Sequence, residues 1–346
     1  MFGAGVASAA DFYLTNDATI TDLTSSYNAT TDYQVNQNAT LSTNSSMSVY
    51  YGTIDGQGGV ATGRGGTVVI GGNLTMHGNI GATNATGNFT ISEWNSLTLA
   101  SNVSTFNSDN MTLSDNTVLN FGNVTSGYNR GSSETLTFAS NITMGSNSTI
   151  NVGNGTTLNG NIYGAGTLNV LGNFTSTGSI GAAQVDGADF ITSGLEQINI
   201  SKGNTFTLNN NATATRMNIN GTVTVAGNIT AAVTMGADGI LNLNNESGDD
   251  NAAKVVGAIQ SYVVDTAQGT LNINGTFTTQ GAIGQGGKGL AAINLSNSTW
   301  SNGFTTTFAH DVNATTITVG TSSMQTNATL AIVAGGTSAG VNIAIT

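Results

Sequence analysis

The chain has 346 residues with 47 glycines, no proline, no cysteine, only 7% charged residues and a net charge of −12. The lack of cysteine excludes disulfides, cysteine-based zinc sites and thiol nucleophiles. Six basic residues against eighteen acidic ones argue against nucleic acid or anionic lipid as a partner, because both require clustered Lys and Arg. The hydrophobic fraction of 38% is enough to build a core, so the chain is expected to fold.

Residues 1–10 have the features of the end of a signal peptide. They are small and apolar, and Ser8-Ala9-Ala10 precedes Asp11 as in an A-x-A-type cleavage site. A basic n-region is missing, which leaves an ordinary chain terminus as the alternative. Residues 11–65 are then predicted to form N-terminal coils or a cap. No window has the ~18 consecutive apolar residues of a transmembrane helix.

Short alternating runs predict β-strands along nearly the whole chain. Runs such as 67–70 (TVVI), 167–170 (TLNV), 222–225 (TVTV) and 316–319 (TITV) alternate with a period of two, are rich in β-branched residues and are bordered by Gly or Asn. Helical spacing of apolar residues is limited to 247–265, where the pattern predicts either a short helix or an inserted loop.

A longer repeat organises these strands. Its copies are 66–82 (GTVVIGGNLTMHGNIGA), 166–182 (GTLNVLGNFTSTGSIGA) and 269–285 (GTLNINGTFTTQGAIGQ), with starts 100 and then 103 residues apart. The repeat units are therefore 66–165, 166–268 and an incomplete 269–346. Within each unit, strand and turn alternate every ~20 residues, which is the length of one solenoid coil. We predict an all-β chain folded as one continuous parallel β-helix, right-handed because parallel crossovers favour that hand.

A solenoid also explains the composition. Stacked coils place like residues above one another, so inward Val, Ile, Leu and Phe form apolar stacks, while Asn and Thr can form hydrogen-bonded ladders. Glycine permits positive φ at corners, and proline is avoided because each backbone N–H pairs with the next coil. The last residues, 340–346, still have a strand pattern, so we expect the natural protein to continue.

The segments GTLNV..GNFTSTGSIGA from Gly166 and GTLNINGTFTTQGAIGQGGKGLAAINL from Gly269 resemble the passenger region of rickettsial surface antigens of the outer-membrane-protein-B type. The likeness covers most of the chain from about Gly66 onward and lies in its composition, which is rich in Asn, Thr, Gly and Ala. It implies an exported autotransporter passenger on the outer membrane that acts as an adhesin or surface-layer component. Contact with the membrane is expected only through a translocator barrel, which this chain does not include.

The resemblance implies a protein or glycan of a host or neighbouring cell as partner, or further copies of the chain in a lattice. We expect no nucleic acid, cofactor, metal or catalytic residue. Interfaces favour Trp and Tyr as anchors, which makes Trp94, Trp300, Tyr50 and Tyr51 the contact candidates. A buried position in the core or a cap is the alternative for each of them.

Two other functions compete with this reading. Parallel β-helices often carry polysaccharide hydrolase or lyase sites, and Gly248-Asp249-Asp250 resembles the paired carboxylates of polygalacturonases. The Asn-Thr-Asp, Gly-His-Gly and Arg-Ile-Lys signatures of that family are absent from the sequence, which favours a solvated acidic loop. A self-assembling secreted layer or fibre subunit, associating through strand edges, is the other alternative.

The remaining patterns are more typical of surface turns than of sites. Asp186 and Asp189 can contribute to a calcium site, but no calcium-binding repeat accompanies them. His77 and His310 lack a second His at metal spacing, and 284–289 (GQGGKG) matches a phosphate-loop pattern without a following helix. Asn-x-Ser/Thr triplets, which are glycan sites only in a host that glycosylates them, include Asn28, Asn73, Asn102, Asn173, Asn228 and Asn327.

Overall fold

The computed structural model describes residues 11–14, 17–20, 32–45, 48–57, 65–121, 135–182, 185–186, 189–190, 194–244, 253–296, 304–320, 328–332 and 343–345. Every regular element in these ranges is a β-strand. The chain divides into two compact units, Met1–Gly160 (unit 1) and Asn161–Thr346 (unit 2).

Unit 1 is built from parallel strands, each paired with a strand one coil further along the chain. In β7 and β9, Val68 lies opposite Phe89, and in β10 and β12, Leu97 lies opposite Leu119. The strands of unit 1 are β1 (Asp11–Leu14), β2 (Ala18–Ile20), β3 (Asp32–Val35), β4 (Thr40–Thr43), β5 (Val49–Tyr50), β6 (Ile54–Gly56), β7 (Thr67–Ile70), β8 (Leu74–Met76), β9 (Thr86–Ile91), β10 (Ser96–Leu99), β11 (Thr105–Leu113), β12 (Val118–Phe121), β13 (Leu136–Val152) and β14 (Thr156–Leu158).

Unit 2 follows the same plan, apart from one antiparallel pair, β18–β19, among its described strands. Its strands are β15 (Ile162–Val170), β16 (Phe174–Ser176), β17 (Ile180–Ala182), β18 (Val185–Asp186), β19 (Asp189–Phe190), β20 (Leu195–Ile200), β21 (Thr205–Leu208), β22 (Ala212–Ile219), β23 (Thr222–Val225), β24 (Ile229–Met235), β25 (Ile240–Asn244), β26 (Ala253–Val256), β27 (Ile259–Ser261), β28 (Thr270–Asn274), β29 (Phe277–Thr279), β30 (Leu290–Ser296), β31 (Phe304–Phe308), β32 (Ala314–Val319), β33 (Ala328–Ile332) and β34 (Ile343–Ile345).

The parallel strands of unit 2 form three stacks, one for each side of the coil. Stack A contains the C-terminal parts of β15, β20, β22 and β24, followed by β27. Stack B contains β16, β21, β23, β25, β28, β30, β32 and β34. Stack C contains the N-terminal parts of β15, β22 and β24, together with β17, β26, β29, β31 and β33.

The coil length varies around the predicted period. Paired positions lie 18 residues apart at Thr224 and Asn242 and 22 apart at Asn272 and Asn294, but 30 apart at Asn242 and Asn272. Longer coils keep the same strands and differ in the segments between them, since parallel pairing fixes the register only inside the strands. The predicted parallel β-solenoid is thus confirmed.

Strand alternation separates core from surface. In β15 every second residue is buried, among them Ile162, Leu168 and Val170, while Thr167 and Asn169 point outward. The largest inward side chains are phenylalanines that meet ring to ring. In unit 1, the Phe106 ring lies 5.0 Å from Phe89 and 4.2 Å from Phe138, within the range of favourable aromatic pairs.

Asparagine and aspartate side chains complete the corners between strands. The Oδ1 atom of Asn79 accepts hydrogen bonds from the backbone N–H groups of Ser104 and Thr105, at 2.9 and 3.1 Å. Asp115 accepts in the same way from the N–H of Ser146 at 2.7 Å. A backbone N–H that leaves the ladder at a corner is thereby satisfied by the previous coil, which is one structural role of the abundant Asn residues.

The segment predicted as a helix or loop is different in the structure. Its described part, 253–265, contains strands β26 and β27, in which Val255 and Ile259 are buried. Gly257 between them has a φ of 122°, a conformation that glycine adopts readily and a helix does not contain. The helix-like spacing comes from two short strands on either side of a corner. Residues 245–252 lie outside the described residues.

The second and third copies of the sequence repeat lie in different stacks of unit 2. Residues 167–170 belong to stack A, where they pair with β20. Their counterparts at 270–273 belong to stack B, where β28 pairs with β25 and β30. The alternating pattern fixes which residues point inward, but it does not specify the side of the coil.

Candidate functional site

The four aromatic contact candidates have different surroundings. Tyr50 is buried at 1% exposure, its ring stacks on Tyr33 at 6.2 Å, and its hydroxyl lies 3.5 Å from the carbonyl oxygen of Thr53. At 1% exposure the Tyr50 ring belongs to the core and is not available to a partner. The same burial raises the pKa of its hydroxyl. Trp300 lies outside the described residues.

Trp94 and Tyr51 are on the surface. Trp94 is 73% exposed and has a φ of 64°, a left-handed conformation that is uncommon for a bulky residue. Tyr51 is 56% exposed and stacks on the His77 ring at 4.6 Å. The His77 ring in turn lies 3.2 Å, Nδ1 to Oδ1, from Asn102. Both Trp94 and Tyr51 are therefore exposed enough to contact a partner, and the Tyr51 ring lies beside that of His77.

The titratable candidates do not assemble into a site in the described ranges. No group of three or more His, Asp or Glu side chains able to hold a metal ion occurs among these residues. The backbone places Asp186 opposite Asp189 in the β18–β19 pair, and His310 is exposed. The paired carboxylates at 249–250 lie outside the described residues.

The segment 284–289 forms a turn. Gly284, Gly286 and Gly287 all have positive φ, and the carbonyl oxygen of Gly287 accepts a 2.7 Å hydrogen bond from the N–H of Asp265. The next element is strand β30, so no helix N-terminus faces the turn as a phosphate loop requires.

Sequence reasoning missed a groove on the outward side of stack A. Its floor begins with a ladder of asparagine amides: Asn199 Nδ2 donates to Asn169 Oδ1, and Asn218 Nδ2 donates to Asn199 Oδ1, both at 2.8 Å. On the next coil the paired residue is Thr234. The shorter Thr side chain makes no hydrogen bond to Asn218 in the structure, so the ladder ends there.

Unequal turns shape the groove beside this ladder. The turns between stacks A and B are 201–204 and 236–239 on two coils, but only 220–221 on the coil between them. At the outer edge, Lys202 Nζ bridges to Asp238 Oδ2 at 2.7 Å, across the short turn. Gly236 keeps the interior open, because a Cβ atom there would overlap Asn220 Oδ1.

The resulting space, which we term the ladder groove, has a volume of about 410 Å³. Tyr262, which follows β27 and is 73% exposed, closes one end, and its N–H donates to the Met235 carbonyl oxygen at 2.8 Å. The lining residues are Asn199, Ile200, Ser201, Asn218, Asn220, Thr234, Gly236 and Tyr262.

The ladder groove offers hydrogen bonds and an aromatic surface but no acid–base pair. Its polar lining is made of neutral amides and hydroxyls, which both donate and accept. The central Asn of the strands at 167–170, 197–200 and 216–219 was a usable sequence signal for the ladder. The turn lengths and the position of Tyr262 became visible only from the pairing of the coils.

None of the described residues forms a helix long and apolar enough to cross a membrane. Comparisons of the chain with protein-family models, with curated proteins and with solved structures gave no match.

Proposed function

We propose that the chain is a non-enzymatic bacterial cell-surface protein, an exported binding module of the autotransporter-passenger type that acts as an adhesin. The observation that supports this most is the chemistry of the outward strand positions. In the described part of both units many of these positions carry neutral Asn and Thr side chains that hydrogen-bond from coil to coil. Asn151 donates to Asn120 and Asn272 donates to Asn242, both at 2.8 Å.

Such ladders suit display of a surface better than catalysis. Each amide holds its neighbour in a fixed orientation, so the polar faces are regular and ordered, as in other stacked β structures. Catalysis by side chains generally requires titratable groups placed within hydrogen-bond reach of one another. The described residues offer ordered polar faces, and they contain no group of three or more His, Asp or Glu side chains close enough to hold a metal ion.

The net charge of the chain favours some partner surfaces over others. The net charge is −12 with six basic residues, and Lys202 is paired with Asp238. Strongly anionic surfaces attract proteins mainly through clustered Lys and Arg. Protein or neutral glycan surfaces are therefore better partners for this chain than polyanions.

Two measurements on the complete chain test the proposal. Antibody labelling and protease treatment of intact cells of the source bacterium should show that the protein is exposed outside the cell. Fluorescently labelled purified chain should then bind eukaryotic or neighbouring bacterial cells saturably, with heat-unfolded chain as the control.

Absence from the cell surface, or binding that never saturates, would contradict the adhesin role. Sedimentation velocity over a wide concentration range distinguishes the adhesin from the alternative of a subunit that assembles into a surface lattice. An adhesin of this type stays monomeric, whereas a surface-layer subunit assembles into large species as its concentration rises.

A further inference from the structure

We propose that the ladder groove of unit 2 binds a neutral oligosaccharide. This inference rests on the proposed function, because it names the ligand class through which the chain recognises another surface.

The first support is a set of hydrogen-bonding groups left without partners where the ladder ends. Asn218 donates to Asn199, but its Oδ1 accepts from no described residue. The side chains of Ser201, Asn220 and Thr234, which also line the groove, make no hydrogen bond to other described residues. A sugar hydroxyl both donates and accepts, so it can satisfy amide oxygens, amide N–H groups and hydroxyls in one site.

The second support is the exposed ring at the end of the groove. Tyr262 is 73% exposed although its backbone is fixed to β24 by the hydrogen bond to the Met235 carbonyl oxygen. The amphipathic Tyr262 ring in this position presents an apolar face to a ligand while its hydroxyl remains exposed to solvent. The C–H face of a pyranose ring is flat and weakly polar, and it stacks on such a ring.

The third support is electrostatic. The groove lining contains no charged side chain. Lys202 at its edge is paired with Asp238 at 2.7 Å, and Arg216, which is exposed on β22 two residues before Asn218, does not line the groove. Phosphate, sulfate or carboxylate ligands would require an unpaired cation or a row of backbone N–H groups. A neutral ligand meets no such requirement.

The dimensions favour a chain of sugars over a single one. The lining residues come from four successive coils of stack A, from Asn199 on β20 to Tyr262 after β27. Adjacent strands lie ~4.8 Å apart, so the groove spans about 14 Å along the stack. That length accommodates several linked pyranose rings between the ladder and the tyrosine.

The chain provides a matched control for the ladder residue. Asn294 Nδ2 donates to Asn272 Oδ1 at 2.8 Å, and the residue paired with Asn294 on the next coil is Thr318. Asn294 is thus the last rung of the stack B ladder, as Asn218 is in stack A. It does not line the groove, so its substitution should disturb a ladder to the same extent without touching the site.

The test is calorimetric titration of the complete chain with neutral tetrasaccharides of glucose, galactose, mannose and N-acetylglucosamine, and with a sulfated heparin tetrasaccharide. We expect saturable binding of at least one neutral tetrasaccharide. Tyr262→Ala should weaken it roughly tenfold and Tyr262→Trp should preserve it. Asn218→Ala should weaken it about fivefold, and Asn294→Ala should leave it unchanged.

Several results would overturn the proposal: no binding of any neutral tetrasaccharide, binding of the heparin fragment alone, or equal affinity in all four variants. Cell binding by the Tyr262→Ala variant separates this inference from the adhesin role. If cell binding is unchanged and no glycan binds, the groove is not the glycan site, but the proposed adhesin role stands. If the glycan affinities follow the expected pattern but the protein is neither exposed on cells nor bound to them, the groove is a glycan site and the adhesin role is rejected.

Discussion

Replacing Phe106 by Ala should be among the most destabilising single changes in unit 1. Its side chain is fully buried in β11 and contacts two other rings: Phe138, stacked nearly parallel at 4.2 Å, and Phe89, edge-on at 5.0 Å. Phe→Ala substitutions in cores cost about 3–5 kcal/mol. Because two ring contacts are lost together with the buried surface, we expect a value near the upper end, about 5 kcal/mol.

The assay is urea unfolding of the complete chain followed by circular dichroism, with hydrogen exchange to locate the effect. Phe106→Leu should cost only about 1–2 kcal/mol, because it keeps most of the apolar volume and loses the ring contacts. Faster amide exchange should appear in β9, β11 and β13, since repeats couple mainly to their neighbours. Trp94→Ala, at a position that is 73% exposed, is the control and should stay within about 0.5 kcal/mol of the parent.

A small effect of Phe106→Ala, equal to that of Trp94→Ala, would refute the assignment of Phe106 to the core. A large effect of both would show that the tryptophan is also packed. The first result would require a different pairing of β9, β11 and β13, whereas the second would contradict only the exposed position of Trp94.

Three further results are expected. Gly78→Ala should destabilise unit 1 by roughly 3 kcal/mol, because the new Cβ would overlap the Gly52 carbonyl oxygen. Gly203→Ala in unit 2 meets open space and should cost only about 1 kcal/mol for its positive φ. Urea unfolding midpoints that rank the two variants in the opposite order would contradict this. Asn79→Ala removes the acceptor of two backbone N–H groups and should cost about 1–3 kcal/mol, seen as faster exchange of those two amides. Burial raises the pKa of Tyr50 above its ordinary value of 10.0, so the stability it contributes is present below pH 10 and is lost as the pH rises further; in a pH series of melts Tyr50→Phe should flatten this decline, and an unchanged slope would exclude the buried hydroxyl as its cause.

The sequence predicted the fold class because strand alternation and turn composition are local properties. In 167–170 and 222–225, apolar and polar residues alternate, and the structure buries the apolar ones in both. Helical spacing at 253–261 was misleading, because two short strands separated by a single glycine corner happen to place Val255 and Ile259 four residues apart. Sequence periodicity does not distinguish these cases over so short a segment.

Individual side chains illustrate the limit of alternation. Tyr50 and Tyr51 are adjacent, so in an extended segment one side chain points inward and the other outward. Because both are Tyr, the sequence pattern does not show which of the two is buried. The structure decides it through pairing of β5 with β8, which sets Tyr50 opposite the buried Met76.

By itself, then, the sequence determined that the chain winds into parallel coils with apolar residues inside and Asn and Thr outside, since these follow from residue type and a period of two. Only the tertiary structure decided which strands share a stack, where the asparagine ladder ends at Asn218, and that Tyr262 lies on the same groove. These features depend on the number of residues each coil places between its corners. That number is fixed by pairing between coils, and parallel pairing joins residues that are distant in the sequence.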